Sequence, residues 1–149
     1  MPSVFSQIIA GELPARFVWQ DDLSVAFLTI RPLRPGHTLV VPRLEVDHWI
    51  DLEPPLLRHV MDVSHQIGRA LEHGFHPVKV GMIIAGLEVP HVHVHLVPFH
   101  TMTQLNFAQA DPNPRPEDLD EAAATIRGSL AALGISPAGP ATPAQQGAG

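Results

Sequence analysis

The chain lacks cysteine altogether, which excludes a disulfide framework and any zinc site built on thiolates. It has no apolar run close to the roughly 20 residues that a membrane helix needs, and residues 1–12 show neither the basic start nor the long apolar stretch of a secretory signal. Basic residues are few as well, since nine Lys and Arg stand against 15 Asp and Glu for a net charge of −6. That sign opposes binding to a phosphate backbone. We therefore expect a cytoplasmic protein with neither a membrane nor a nucleic acid as partner.

Histidine and proline are the residues in excess. The 149 residues include ten histidines and 16 prolines, and 45% of the chain is hydrophobic. That hydrophobic share is enough to bury a core, while so many prolines favour short elements over a long helical bundle. The unusual histidine content indicates that the chemistry lies among the imidazoles.

The spacing of apolar residues predicts the secondary structure. It indicates a short helix at 4–10, strands at 16–20, 24–30, 37–41, 78–85 and 89–99, a long helix at 54–74 and an amphipathic helix at about 117–133. Strands joined mostly by tight turns, with few helical crossovers, favour an antiparallel sheet and an α+β fold.

Two changes in composition divide the chain. The alternating prolines of residues 111–116 block both helix and strand, so we place a domain at 1–110 and a C-terminal extension at 111–133. Residues 134–149 hold one large apolar residue in sixteen and are predicted to be a disordered tail.

The most informative stretch is residues 89–98, which read VPHVHVHLVP. Alternate side chains of a strand point to opposite faces, so His91, His93 and His95 are predicted to form one exposed row at intervals of roughly 6.5 to 7 Å. Three alternating histidines are poorly explained as an ordinary polar face. They suit either a zinc site completed by a group from elsewhere or covalent catalysis by a neutral imidazole on phosphorus. The spacing does not decide between these two.

The run His-Val-His-Val-His-Leu-Val resembles the signature of the histidine-triad (HIT) family of nucleotide hydrolases and transferases. Four further segments resemble that family in the same order: FSQIIAGELP at 5–14, AFL at 26–28, PGHTLVVP at 35–42 and AGLEV at 85–89. The similarity extends over residues 4–98.

The resemblance implies a fold and a reaction. The fold would be an antiparallel sheet with one long and one short helix, plus the C-terminal helix, and the sheet would continue across a homodimer. His93 would attack the α-phosphorus of a nucleotide substrate to form a nucleotidyl-histidine, which water would release as a nucleoside monophosphate. His95 would contact the phosphate, His91 would position the nucleophile, and His37 would support the triad. No cofactor is implied, and zinc on the histidine face is the alternative.

The resemblance also predicts the residues of the nucleotide cleft. The base and ribose would contact Phe5, Ile8, Phe27 and Ile30, and the phosphate would meet backbone amides around Gly86 and Val89. Unperturbed histidine titrates near pH 6.5, so we expect a neutral nucleophile beside a protonated neighbour at neutral pH.

Three cleft positions depart from the family pattern. Thr29 stands where a carboxylate or amide commonly holds the ribose hydroxyls, Leu87 replaces an amide side chain, and Glu88 replaces a small hydroxyl residue. A carboxylate beside a phosphate repels it unless it is protonated or paired. A nucleotide- or zinc-binding protein with little turnover is therefore the alternative function, and transfer of the nucleotidyl group to phosphate is a third.

The remaining histidines are expected to matter less. They have no partner at a suitable spacing and are predicted to lie on the surface or at helix ends; they are His48, His59, His65, His73 and His76. His100 follows the triad out of phase with it and is a candidate for the edge of the cleft.

Overall fold

Five short segments rich in Val, Leu and Phe form the sheet of this protein, as seen in a computed structural model that describes residues 1–137. The strands are β1 (Phe17–Gln20), β2 (Ser24–Leu28), β3 (Thr38–Pro42), β4 (Lys79–Ile83) and β5 (Val94–Phe99). They pair antiparallel in the order β1-β2-β3-β5-β4. The predicted α+β fold with a five-stranded antiparallel sheet is confirmed.

Three helices accompany the sheet: α1 (Val4–Ile9), α2 (Pro54–Phe75) and α3 (Pro116–Ala132). Both long helices begin at proline, whose fixed φ and missing N–H suit the first helical turn. The helix α2 ends at His76, which adopts a left-handed φ of 50°. Among residues 1–137, no helix is both long and apolar enough to cross a membrane.

The strand predicted at 89–99 is wrong in its first half, because β5 begins only at Val94. Pro90 has no N–H to give to a neighbouring strand. The His91 N–H closes a turn onto the Val89 carbonyl at 2.8 Å, and the Val92 N–H donates to the Val46 carbonyl at 2.8 Å. The backbone before the strand is thus held by a turn and a loop instead of by the sheet.

The two faces of the sheet pack against different helices. The main core lies on the α2 and α3 side and includes Ala26, Val40 and Leu96. The alternate residues of β2 and β3 form a second cluster with Phe5 of α1; they are Val25, Phe27, Leu39 and Val41. His95 pairs with Leu39 in the sheet, so its side chain lies on this second face.

The C-terminal helix shares the main core with the rest of the domain. Its apolar stripe, Leu119, Ala122, Ala123, Ile126 and Leu130, packs there, and Ile135 packs against it as well. The two long helices approach closely at Gly74, where an added Cβ would lie 2.7 Å from Ser129 Oγ. Most of the predicted tail, residues 138–149, lies outside the described residues.

Two histidines predicted to lack partners have them. His59 on α2 lies 2.9 Å from the Asp21 carboxylate, which is buried at the turn between β1 and β2. His73 lies 3.1 Å from Ser129 Oγ of α3. Both contacts join segments far apart in the chain, so spacing along the sequence did not reveal them.

Candidate active site

The three alternating histidines and His37 meet on the α1 face of the sheet. His95 lies on β5, His91 and His93 lie in the segment just before it, and His37 directly precedes β3 after the Pro35-Gly36 turn. His37, His93 and His95 line a cleft of about 820 Å³, whose opposite walls come from α1 and from the chain after β2. The structure therefore brings together the four histidines that the sequence singled out.

His91 is fully buried, which corrects the prediction of an exposed histidine row. Its exposed fraction is 0%, and that of His93 is 5%, because α1 covers them. The His91 Nε2–H donates to the Pro42 carbonyl at 2.7 Å, so Nδ1 of the neutral ring accepts the Ser3 hydroxyl at 2.7 Å. Both ring nitrogens of His91 are thus occupied by the protein.

His93 presents one free nitrogen to the cleft. Its Nδ1–H donates to the His91 carbonyl at 2.7 Å, and a carbonyl oxygen only accepts, so the neutral ring keeps its lone pair on Nε2. No described residue bonds to that Nε2. The Phe5 ring packs edge-on against His93 with ring centroids 4.8 Å apart. The contacts fix both the orientation and the tautomer of a potential nucleophile.

His37 fixes the tautomer of His95 in the same way. The Leu33 backbone N–H donates to His37 Nδ1 at 3.0 Å, so the neutral His37 ring carries its proton on Nε2. That N–H donates to His95 Nδ1 at 2.9 Å. His95 therefore carries its own proton on Nε2. With ring centroids 4.9 Å apart, the site places a lone pair on His93 beside an N–H donor on His95.

All four histidines have pKa values below that of an ordinary imidazole. Burial, together with the neighbouring imidazoles, lowers the pKa of His37 to about 3 and that of His95 to about 4. Burial also lowers the pKa of His91 and of His93, against the opposing effect of their backbone hydrogen bonds. The sequence predicts a protonated histidine beside the nucleophile. That prediction is wrong for the unliganded protein, because all four histidines are neutral at pH 7.

These shifts predict that mild acid destabilises the fold. A histidine whose pKa is lower when folded takes up its proton first in the unfolded chain, so stability is full above about pH 6.5 and falls below it. We expect the free energy of unfolding to drop by about 2 to 3 kcal/mol between pH 7.5 and 5.5, from His37 and His95 together. Urea unfolding at the two pH values measures this loss.

Matched variants assign the loss of stability to the buried rings. His37→Gln removes one contributor and is expected to flatten the pH dependence, whereas His65→Gln changes an exposed histidine of α2 and is expected to leave it unaltered. Glu45 does not account for the loss between pH 7.5 and 5.5, because hydrogen bonds from Ser3 and Ser6 hold its pKa at about 2. Equal stability at pH 7.5 and 5.5 would contradict the assignment.

Most of the residues predicted for the nucleotide cleft lie in its wall. Seven of them line it: Phe5, Ile8, Phe27, Thr29, Ile30, Glu88 and Val89. Two predicted residues do not: Leu87 is 95% exposed, and Gly86 occupies a turn with φ of 81°. The Thr29 hydroxyl accepts the Arg31 N–H at 3.2 Å, so its own proton is available to a ligand.

The sequence reasoning missed the wall that follows the triad strand. Phe107 belongs to a 3₁₀ helix, Phe107–Gln109, and its ring packs edge-on against His95 at a centroid distance of 4.8 Å. Ala108, Ala110 and Pro112 continue this wall. The available signal was a single aromatic residue, Phe107, soon after the candidate site in the sequence.

No group of three or more His, Asp or Glu side chains within residues 1–137 is arranged to hold a metal ion. His37 and His91 use both ring nitrogens in bonds to the protein. The nitrogens turned to the cleft are Nε2 of His93 and Nε2 of His95.

Comparison with known families supports the interpretation of the three alternating histidines as a histidine triad. A HIT domain matches residues 10–102, well over half of the chain. The chain belongs to the HIT family. The match ends before Phe107 and α3, so part of the cleft wall and part of the core lie beyond the HIT domain proper.

Two mycobacterial HIT proteins are similar over nearly the whole chain. An uncharacterised HIT-like protein of Mycobacterium tuberculosis is 33% identical over 136 residues, which cover 88% of this chain and 94% of that protein. The crystal structure of a zinc-bound histidine triad family protein from Mycobacterium smegmatis superimposes with a TM-score of 0.76 at 30% identity. That superposition covers 88% of this chain and 94% of the other.

Two relatives with named activities are similar over the shorter HIT region. The asymmetrical bis(5'-nucleosyl)-tetraphosphatase of Schizosaccharomyces pombe is 34% identical over 99 residues, 63% of this chain and 53% of that protein. The adenosine 5'-monophosphoramidase of Saccharomyces cerevisiae is 30% identical over 96 residues, 64% of this chain and 61% of that protein. The names of these two relatives thus describe two different activities.

Proposed function

We propose that this protein is a nucleotide phosphohydrolase or nucleotidyl transferase that forms a covalent nucleotidyl-His93 intermediate. Its substrate is a nucleoside phosphoramidate or a dinucleoside polyphosphate, cleaved at the α-phosphate. The observation that carries the proposal is the pair of fixed tautomers, with the His93 Nε2 lone pair beside the His95 Nε2–H. The named activities of the fission yeast and budding yeast relatives support these two substrate classes.

The geometry suits a two-step displacement on phosphorus. His93 Nε2 forms a bond to the α-phosphorus while the bond from phosphorus to the leaving nitrogen or oxygen breaks, and the leaving group keeps the electron pair and takes up a proton from solvent. The His95 Nε2–H donates to a phosphate oxygen as negative charge grows there. His93 becomes a cation in this step, which strengthens the bond from its Nδ1–H to the His91 carbonyl. Water then forms a bond to phosphorus and gives up one proton to solvent as the bond from phosphorus to His93 Nε2 breaks, which releases the nucleoside monophosphate and restores the neutral ring.

The apolar wall of the cleft suits the nucleoside part of such a substrate. Phe5 and Phe27 contact each other edge-on, with ring centroids 5.6 Å apart, and both line the cleft beside the triad. Aromatic rings bind a flat base through its π-face without selecting a particular base. The Thr29 hydroxyl also lines the cleft and can donate to a ribose oxygen.

The test is a panel of adenosine and guanosine phosphoramidates and dinucleoside polyphosphates, incubated with the full chain in the presence of a chelator. We expect release of nucleoside monophosphate and, after rapid denaturation at alkaline pH, a nucleotidyl adduct that mass spectrometry maps to His93. Replacing water by phosphate as the acceptor separates transfer from hydrolysis. Absence of release and of adduct with every substrate would refute the proposal.

Glu88 supports one competing function, a nucleotide- or zinc-binding protein with little turnover. Its carboxylate lines the cleft, and its charge acts on His93. It therefore repels a phosphate that approaches the nucleophile. Calorimetry that shows binding of a nucleoside monophosphate or of zinc, without product release, would favour this function, and Glu88→Gln would then be expected to raise turnover.

We infer in addition that the protein forms a homodimer through an edge of its sheet. Both β1 and β4 are edge strands, and the β4 edge carries the exposed apolar side chains of Val78 and Met82. Unpaired strand edges with exposed apolar side chains favour pairing with a second chain. Light scattering gives the mass in solution, and a mass of one chain at micromolar concentration would contradict the inference.

A further inference from the structure

A hydrogen-bonded network at the N-terminus reaches the triad from outside the matched HIT domain. Its members are Ser3, Ser6, Glu45 and His91, and the first two precede residue 10, where the HIT domain match begins. Ser3 is buried and caps α1 by accepting the Ser6 N–H at 3.0 Å. The network therefore joins the start of the first helix to a buried histidine 88 positions further along the chain.

The direction of each hydrogen bond in this network is determined by its chemistry. The Glu45 carboxylate accepts the Ser3 backbone N–H at 2.6 Å and the Ser6 hydroxyl at 2.7 Å. With the Ser6 proton used there, the Ser3 hydroxyl is the group that donates to His91 Nδ1, at 2.7 Å. A carboxylate that accepts two such bonds is held in its charged form, and the pKa of Glu45 is accordingly low, at about 2.

The network acts on the nucleophile through His91. The His91 ring is held at Nδ1 by Ser3 and at Nε2 by the Pro42 carbonyl, so the whole residue has one orientation. Its backbone carbonyl is the group that accepts the His93 Nδ1–H. The same helix that Glu45 anchors carries Phe5, which packs on the His93 ring. Two routes thus lead from Glu45 to His93, one through Ser3 and His91 and one through α1.

We propose that Ser3 and Glu45 are positioning residues for His93, which hold it in the tautomer and orientation that point its Nε2 lone pair at phosphorus. This inference rests on the proposed function. Neither residue lines the cleft, so neither contacts substrate. Their contribution is greatest when His93 becomes a cation, because the bond to the His91 carbonyl is then charge-assisted and sensitive to misplacement.

The consequence is a loss of kcat with little change in KM. At metal sites, loss of the outer hydrogen-bond partner that orients a ligating histidine costs about ten- to a hundredfold in affinity or activity, and we take the lower end of that range for a histidine oriented without a metal. We expect a reduction of about tenfold or more in kcat for Ser3→Ala and Glu45→Ala, with KM within about twofold of the parent value. Ser3→Thr and Glu45→Gln keep the donor and the acceptor, respectively, and are expected to restore most of the rate.

The matched control is Gln7→Ala, which changes a side chain of α1 that is neither in the network nor in the cleft wall. It is expected to leave kcat unchanged, whereas equal losses in all three alanine variants would mean that damage to α1 explains the effect and would overturn the proposal. Unchanged kcat in both Ser3→Ala and Glu45→Ala, with an active parent, would also overturn it.

A second readout does not depend on turnover. Nitrogen NMR of the imidazoles is expected to show His91 protonated on Nε2 and His93 on Nδ1 in the parent, and a mixture of His93 tautomers in Ser3→Ala. If the parent cleaves no substrate but its His93 tautomer changes in Ser3→Ala, the proposed function fails and the positioning role stands. An unchanged His93 tautomer in Ser3→Ala would overturn the positioning role.

Discussion

Replacing His93 by alanine is expected to abolish turnover while the fold persists. In the proposed reaction the His93 Nε2 atom forms the covalent bond to phosphorus, and no other described residue presents a lone-pair nitrogen at that point, because His95 Nε2 carries a proton. Removing the nucleophile of a covalent enzyme costs several orders of magnitude, so we expect kcat to fall at least about a thousandfold. Release of nucleoside monophosphate under single-turnover conditions measures the loss.

The control for this variant is His100→Ala, which removes an exposed imidazole just beyond the same strand. It is expected to keep full activity, and both variants are expected to show the circular dichroism spectrum of the parent. Turnover in His93→Ala above one tenth of the parent rate would show that His93 does not carry the reaction. If His93→Ala does not show the circular dichroism spectrum of the parent, His93→Gln takes its place in the test, because glutamine keeps most of the side-chain volume at this buried position.

The alternation of histidine and valine predicted the site, but it did not predict the burial of the site. From the pattern it follows that His91, His93 and His95 lie on one side of the chain and that the apolar residues alternating with them enter the core, as Val94 and Leu96 do. The residues that cover the histidines come from other parts of the chain. Helix α1 covers His93, and Phe107 of the 3₁₀ helix covers His95. Burial by distant segments lowers the pKa values, and no local pattern encodes it.

The tautomers of the site histidines could not be predicted from the sequence either. They depend on three backbone groups, which are the carbonyls of Pro42 and His91 and the N–H of Leu33, and on the Ser3 hydroxyl. Every residue offers such groups, so their identity at a site is known only once the chain is folded. The sequence therefore predicts which side chains form the site, whereas the structure is needed to tell which nitrogen of each histidine carries the proton.

Ending the chain at residue 110 is expected to prevent stable folding, although the HIT domain match itself ends at residue 102. This truncation removes Leu119, Ile126 and Leu130 from the main core. Full burial of such a side chain contributes about 1.5 to 3 kcal/mol, so the three together approach the roughly 5 to 15 kcal/mol by which a whole domain is stable. We expect the truncated protein to lack a cooperative thermal transition in calorimetry.

Two milder changes separate loss of the core from loss of chain length. Ile126→Ala leaves α3 in place and is expected to cost about 2 to 5 kcal/mol, because Ile126 is fully buried and the change creates a cavity. Ending the chain at Pro137 keeps every core side chain named above and is expected to leave the melting temperature unchanged. A cooperative transition in the 1–110 protein at the temperature of the parent would show that α3 is dispensable.

The truncation also bears on function, because α3 supports one wall of the cleft. Asp120 on α3 holds Arg16 at 2.6 Å, and Arg127 donates to the Phe17 carbonyl at 2.8 Å, so α3 anchors the start of β1. Leu119 and Arg16 line the cleft themselves. A 1–110 protein that folded would therefore be expected to bind nucleotide weakly even with its histidines intact. The segment beyond the HIT domain match therefore belongs both to the core and to the wall of the cleft.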